Sequence, residues 1–110
     1  MTGLFYGPFR MTQVKHHLSV LPNWSTELAE DIAVSESIEL GPEHIEILHI
    51  SRAFYDEYGF SPSMRPLCKS IAVVLGSEKA RSLYLNQLFP GSPAKLVALL
   101  AGLPKPKNCL

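Results

Sequence analysis

Cys109 is the residue of this chain best placed to do chemistry, because its neighbours keep it out of a core. The segment around it reads Leu103-Pro104-Lys105-Pro106-Lys107-Asn108-Cys109-Leu110. Pro104 and Pro106 have no amide proton and fix their own φ, and they drive Leu103 and Lys105 toward extended conformations, so the segment does not continue a helix. Gly102, just before it, is the residue expected past a helix C-terminus. Eight extended residues reach at most about 3.3–3.6 Å each, which gives the thiol roughly 25 Å of travel from the last helix. A thiol of that kind suits a carried group; the plain alternative is a frayed chain end with an incidental cysteine. Thiol chemistry requires the thiolate, which Lys105 and Lys107 favour and the terminal carboxylate opposes, both weakly on a solvated tail. Strong activation therefore needs groups from the folded body or from a partner's site. Arg65 and Lys69 are the candidates on the body: at i and i+4 of a helical stretch they share a face, where like charges cost roughly a few tenths of a kcal/mol unless an anion or carboxylate lies nearby.

Other chemistries find less support. Cys68 adjoins an apolar row and reads as a small core residue rather than a reactive thiol. Two cysteines without C-x-x-C spacing make neither a disulfide framework nor a zinc or thioredoxin-like site, so both are expected as reduced thiols. His16 and His17 are adjacent in a turn, and His44 and His49, five apart, point about 140° away from each other on a helix, so no metal site is expected. His44 and His49 read as packed or solvated side chains rather than catalytic bases. The chain has no glycine-rich phosphate loop, nucleophile elbow or convincing carboxylate pair, and no cofactor is expected.

The elements that must position Cys109 are mostly helical. At 110 residues and 46% apolar content, a single domain spanning 1–110 is expected. No apolar run approaches about 18 residues, and Met1 to Pro8 lack the basic start and apolar stretch of a secretory signal, so a soluble cytoplasmic protein is expected. The β-prone stretches Leu4-Phe5-Tyr6 and Leu18-Ser19-Val20-Leu21 predict a small hairpin within 1–22. From Trp24 the period turns helical, with Trp24, Leu28, Ile32 and Ala33 on one stripe of a first helix near 25–35 and Asn23 or Ser25 as its cap. Pro42 and Gly59 bracket a second, longest and central helix, with Ile47, Ser51, Phe54 and Tyr58 in one row and Ile50 and Tyr55 beside it. Ser61-Pro62-Ser63 starts a third, in which Met64, Leu67, Ile71, Val74 and Leu75 repeat up to Gly76. Ser77 caps a fourth, packed through Ala80, Leu83, Tyr84, Gln87 and Leu88. A fifth, Ala94 to Ala101 behind Ser92-Pro93, is apolar nearly all round and so buried. The expected fold class is mainly α: a compact bundle of about five helices over 23–102, with a small N-terminal β-hairpin and a flexible C-terminal arm at 103–110.

Charge divides along the chain. Residues 1–57 carry three basic residues against nine carboxylates, a net −6, and residues 58–110 carry seven basic residues against Glu78 alone, a net +6. Such a split sets encounter rate and partner choice where the halves form separate faces, and otherwise only solvates the helices.

The ordered run Leu18-x-x-x-x-x-Trp24, Leu40-x-x-x-His44, Arg52-x-Phe54-Tyr55-x-Glu57-Tyr58, Pro62-x-x-Arg65-x-Leu67-x-Lys69, Tyr84-Leu85-x-x-Leu88-Phe89-Pro90-Gly91-x-Pro93-Ala94-Lys95 and Ala101-Gly102-Leu103-Pro104-Lys105-Pro106-x-x-Cys109 resembles the DsrC/TusE family. The resemblance implies a small helical fold with an N-terminal hairpin and a mobile arm whose penultimate cysteine, here Cys109, carries sulfur. Members of the DsrC type have a second arm cysteine about eleven residues earlier; Leu96-Val97-Ala98-Leu99 holds no thiol there, so the chain looks more like the TusE type. That likeness implies a sulfurtransferase-type carrier without independent turnover of a small substrate. Its Cys109 would accept a persulfide from a TusBCD/DsrEFH-like donor complex, and an MnmA-like tRNA 2-thiouridylase with its tRNA would take the sulfur for wobble-uridine thiolation. The alternative from another class is a non-enzymatic partner or regulatory subunit of a sulfite-reductase-like system, or a nucleic-acid-binding regulator using the basic second half.

Overall fold

The computed structural model describes residues 16–107. Among them lie five α-helices: α1 (Thr26–Ser35), α2 (Pro42–Tyr58), α3 (Met64–Leu75), α4 (Ser82–Leu88) and α5 (Pro93–Leu100), preceded by a 3-10 turn at His17–Val20. The mainly α expectation and the helix count hold. Local chemistry explains most of the boundaries. Ser25 caps α1, its hydroxyl accepting the Leu28 amide at 3.2 Å. Pro42 and Pro93 open α2 and α5 at the first helical position, where a missing amide proton costs nothing. Gly59 ends α2 in the left-handed region, φ 81°, and a Cβ there would stand 3.0 Å from the His17 ring.

The hairpin is not borne out where it can be checked. Leu18 to Leu21, expected as its second strand, is the 3-10 turn; Leu4 to Tyr6, expected as the first, lies outside the described residues. The turn wins because Leu18 and Leu21, three apart, both pack on the core, and because the Leu18 amide donates to Asp56 Oδ1 at 3.0 Å rather than to a neighbouring strand. Ser77 does not cap α4 either: 77–80 form a turn in which the Ala80 amide reaches the Ser77 carbonyl, and α4 starts at Ser82 with Leu83 facing solvent and Leu85 buried.

The core is built from Ala29 and Ala33 of α1, Ile47, Leu48 and Ile50 of α2, Leu67 and Ile71 of α3, Leu85 and Phe89 from α4 and its end, and Val97, Ala98 and Leu100 of α5. On α2, Ile47 and Ser51 of the expected row are buried with Ile50 and Tyr55 beside it, Leu48 is buried as well, Phe54 is half-buried and Tyr58 is exposed; on α3 the expected row packs on the core except for Val74, which is exposed. The hub is also different: α2 is the longest helix, but α5 is the one that packs against all four others. The helix that leads into the Cys109 segment is therefore the best-anchored element of the bundle. Among the described residues no helix is long and apolar enough to cross a membrane.

Candidate functional site

The site begins where α5 stops. Every helix leaves its last carbonyls without intrahelical partners, and here each of the last four accessible ones is met. The Leu103 amide donates to Ala98 O at 2.8 Å and the Gly102 amide to Leu99 O at 3.3 Å, the two bonds of a Schellman end, with Gly102 left-handed at φ 71°. The next two are taken from outside the helix. Trp24 Nε1 donates to Leu100 O at 2.8 Å and Arg52 Nη1 to Ala101 O at 2.6 Å. The two donors support one another, the Arg52 guanidinium lying 4.6 Å from the Trp24 ring centroid. Burial lowers the Arg52 pKa and Asp56, one turn on, pulls it back up; arginine stays charged under these opposing effects. Asp56 also holds the Leu18 amide, so the C-terminal half of α2 ties down both the 3-10 turn and the root of the tail.

The tail continues as a bound strap. Leu103 is buried, the Ser61 hydroxyl donates to the Pro104 carbonyl, and Pro106 is buried again, while Lys105 and Lys107 face solvent. Pro104, Lys105 and Lys107 line a cleft of about 290 Å³ against Tyr55, Gly59, Phe60, Ser61 and Ser63, the C-terminus of α2 and the loop after it. Leu103 and Pro106 are buried and the Pro104 carbonyl is hydrogen-bonded, so the expected eight-residue arm begins packed on the body. Cys109 follows two residues after Lys107, at most about 7 Å of extended chain.

Of the residues singled out from the sequence, Lys105 and Lys107 are brought together at this cleft, and Cys109 lies outside the described residues. Arg65 and Lys69 do not line it; they stand exposed on the outer face of α3, without an ion pair among the described residues. Cys68 is half-buried against the core, and burial pushes its thiol pKa up, away from the thiolate. His44 is packed: its Nδ1 accepts the Gly41 amide at 3.1 Å, its Nε2 faces Leu88 O at 3.0 Å, and its ring meets Phe89 edge-on. A carbonyl can only accept and an amide can only donate, so the proton sits on Nε2 and the ring joins the start of α2 to the end of α4. His49 is exposed, with its ring edge-on to Trp24 at 5.7 Å.

The residues missed from the sequence are Trp24, Arg52 and Ser61 in their capping roles. Their partners are 76, 49 and 43 positions away, beyond any local pattern. The available signal was indirect: a helix end announced by Ala101-Gly102-Leu103-Pro104 must find donors for its carbonyls, and a lone tryptophan and a lone mid-chain arginine in an acidic half are natural suppliers.

Comparison with known proteins agrees with this geometry. A family model described as "DsrC like protein" matches residues 10–110. The chain is 44% identical over 106 residues to sulfurtransferase TusE of Sodalis glossinidius, covering 96% of this chain and 98% of that one. It is 43% identical over 107 residues to sulfurtransferase TusE of Escherichia coli, covering 97% and 98%. The NMR structure of Allochromatium vinosum DsrC superposes with a TM-score of 0.74 at 41% identity, over 86% of this chain and 85% of that one. The crystal structure of the oxidized gamma-subunit of the dissimilatory sulfite reductase (DsrC) from Archaeoglobus fulgidus gives 0.67 at 35%, over 79% and 80%. With the helical body, the capped end of α5 and the Pro-Lys-Pro strap all inside the matched span, the chain belongs to the DsrC-like family.

Proposed function

We propose that this protein is a sulfur carrier that works through Cys109. The observation that carries the reading is the tail: a bound strap from Leu103 to Pro106, anchored on the hub helix, that brings two exposed lysines to within four residues of a penultimate cysteine. Relatives named sulfurtransferase, aligned over nearly the whole chain, support it. In the transfer, the Cys109 thiolate attacks the terminal sulfur of a donor persulfide. The donor S–S bond breaks as the new one forms, Cys109-S-SH results, and the donor leaves as thiolate, with no net oxidation and no proton gained or lost. Lys105 and Lys107 favour the thiolate before attack, and Cys109 returns to it when the acceptor takes the sulfur. One thiol suffices for this cycle, and with no cysteine near Ala98 the chain is not built for a two-cysteine arm disulfide.

The donor is a TusBCD/DsrEFH-like complex and the acceptor an MnmA-like tRNA 2-thiouridylase with its tRNA. A strain lacking the protein should lose 2-thiouridine at the wobble position, wild type should restore it, and Cys109→Ser should not. Restoration by Cys109→Ser would end this reading. One neighbour is a named subunit of dissimilatory sulfite reductase. That favours a second reading as a regulatory partner of such an enzyme, for which binding survives Cys109→Ser unchanged.

A further inference from the structure

We infer that the groove between α2 and α3 is the docking surface for the persulfide donor, a protein presenting an apolar segment flanked by carboxylates. The inference rests on the sulfur-carrier reading. The groove encloses about 430 Å³ between Ile50, Ala53, Phe54 and Tyr58 of α2 and Val73 and Val74 of α3. Its apolar groups face water: Val73 is 86% exposed, Val74 62% and Tyr58 53%. Apolar exposure gathered along one groove, rather than scattered singly, marks an interaction surface.

Two further observations name the occupant. The first is continuity with the tail. Phe54 packs on Tyr58 at a 48° tilt with centroids 4.6 Å apart and meets Phe60 edge-on at 5.4 Å, and Phe60, itself 52% exposed, also lines the cleft that holds Lys105 and Lys107. An unbroken aromatic strip thus runs from the groove to the last described residue of the tail. Cys109 follows Lys107 by two residues, about 7 Å of extended chain, so a partner that delivers sulfur to it meets the surface adjoining this cleft. The second is charge. Arg65, Lys69 and Val73 stand at i, i+4 and i+8, one row along the outer face of α3, and the two cations have no ion pair among the described residues. That row ends at Val73 on the groove wall, and Lys105 and Lys107 add two basic side chains in the cleft that Phe60 lines. Glu57 also lines the groove on the α2 wall and has an interaction of its own. A partner with carboxylates at the rim relieves the Arg65–Lys69 repulsion and gains steered encounter.

The test separates docking from chemistry. Full-length wild type, Val73→Glu and, as a control, Val34→Glu on α1, where the side chain is similarly exposed, are loaded from two sources: a persulfidated TusBCD-type complex and glutathione persulfide. Loading is followed by intact mass. Val73→Glu should load from the protein donor at least about tenfold more slowly and from glutathione persulfide at the wild-type rate, with Val34→Glu matching wild type from both. Equal protein-donor rates for Val73→Glu and wild type would overturn the inference, as would an equal slowing by Val34→Glu. A wild-type homodimer in sedimentation that Val73→Glu dissociates would make a second copy the occupant and overturn it too. Wild type that takes sulfur from neither source would instead remove the carrier reading on which it rests.

Discussion

Gly102→Ala tests whether the root of the tail is as tightly held as the geometry implies. Gly102 sits at φ 71°, where an L-residue costs about 1–2 kcal/mol. A Cβ there would stand 2.8 Å from Trp24 Cδ1 and 3.5 Å from Arg52 Nη1. The indole cannot withdraw without giving up its bond to Leu100 O, and overpacking of that kind adds about 1–3 kcal/mol. The substitution should therefore cost about 2–5 kcal/mol, a large share of the 5–15 kcal/mol typical of a domain, and lower Tm by roughly 8–20 °C. Gly91→Ala is the control: φ is 93° and nothing lies within 4 Å of its would-be Cβ, so only the backbone cost of about 1–2 kcal/mol applies. Urea and thermal unfolding of both variants, and of Gly102→Ala in a Trp24→Leu background, isolates the steric part, which should vanish once the indole is gone. Trp24 is the only tryptophan, so its emission reports its displacement directly. A Gly102→Ala cost no greater than that of Gly91→Ala, with wild-type emission, would refute the reasoning.

Arg52→Ala leaves Ala101 O without its charged donor and should destabilise by about 1.5–3 kcal/mol in urea unfolding, with Arg52→Lys recovering only part because the guanidinium also stacks on Trp24. His44→Ala removes partners from Gly41 N–H and Leu88 O together and should cost about 2–3 kcal/mol, yet leave the rate of persulfide loading unchanged, since neither contact faces the tail. Cys68 has its thiol pKa raised by burial: the unfolded chain loses this proton first as pH rises, so its stabilising effect is intact below the ordinary thiol range and declines above it. In a Cys109→Ser background, iodoacetamide should accordingly label Cys68 more slowly than an unstructured cysteine peptide near neutral pH, and the gap should close on unfolding in urea.

The parts of the fold legible in the sequence are those set by short-range chemistry. Pro42 and Gly59 bound α2, Ser25 caps α1, and Pro93 opens α5, each through a steric or hydrogen-bonding property of one residue. What was not legible depends on distant neighbours. Leu18 to Leu21 is β-prone by composition, but Asp56, 38 positions away, takes the Leu18 amide and fixes a turn. A helix starting at Ser77 puts Leu83 on the packed face of α4; the helix starts instead at Ser82, which leaves Leu85 as the buried residue. At the site, the Pro-Lys-Pro pattern reveals an extended tail, whereas its attachment to Ser61 and the capping of α5 by Trp24 and Arg52 arise only once three helices have packed. Arg65 and Lys69 share one helix face by their spacing, but neither lines the tail cleft.

Sulfur loading at Cys109 is the most direct measurement of the account. After incubation with a cysteine desulfurase, cysteine and the donor complex, intact mass spectrometry of wild type should show a new species heavier by about 32 Da, one sulfur atom, that disappears on reduction or on transfer to the acceptor. Cys109→Ser should stay at its unmodified mass while Cys68→Ser loads like wild type. A 32 Da adduct that persists in Cys109→Ser, or that is lost in Cys68→Ser, would contradict the account.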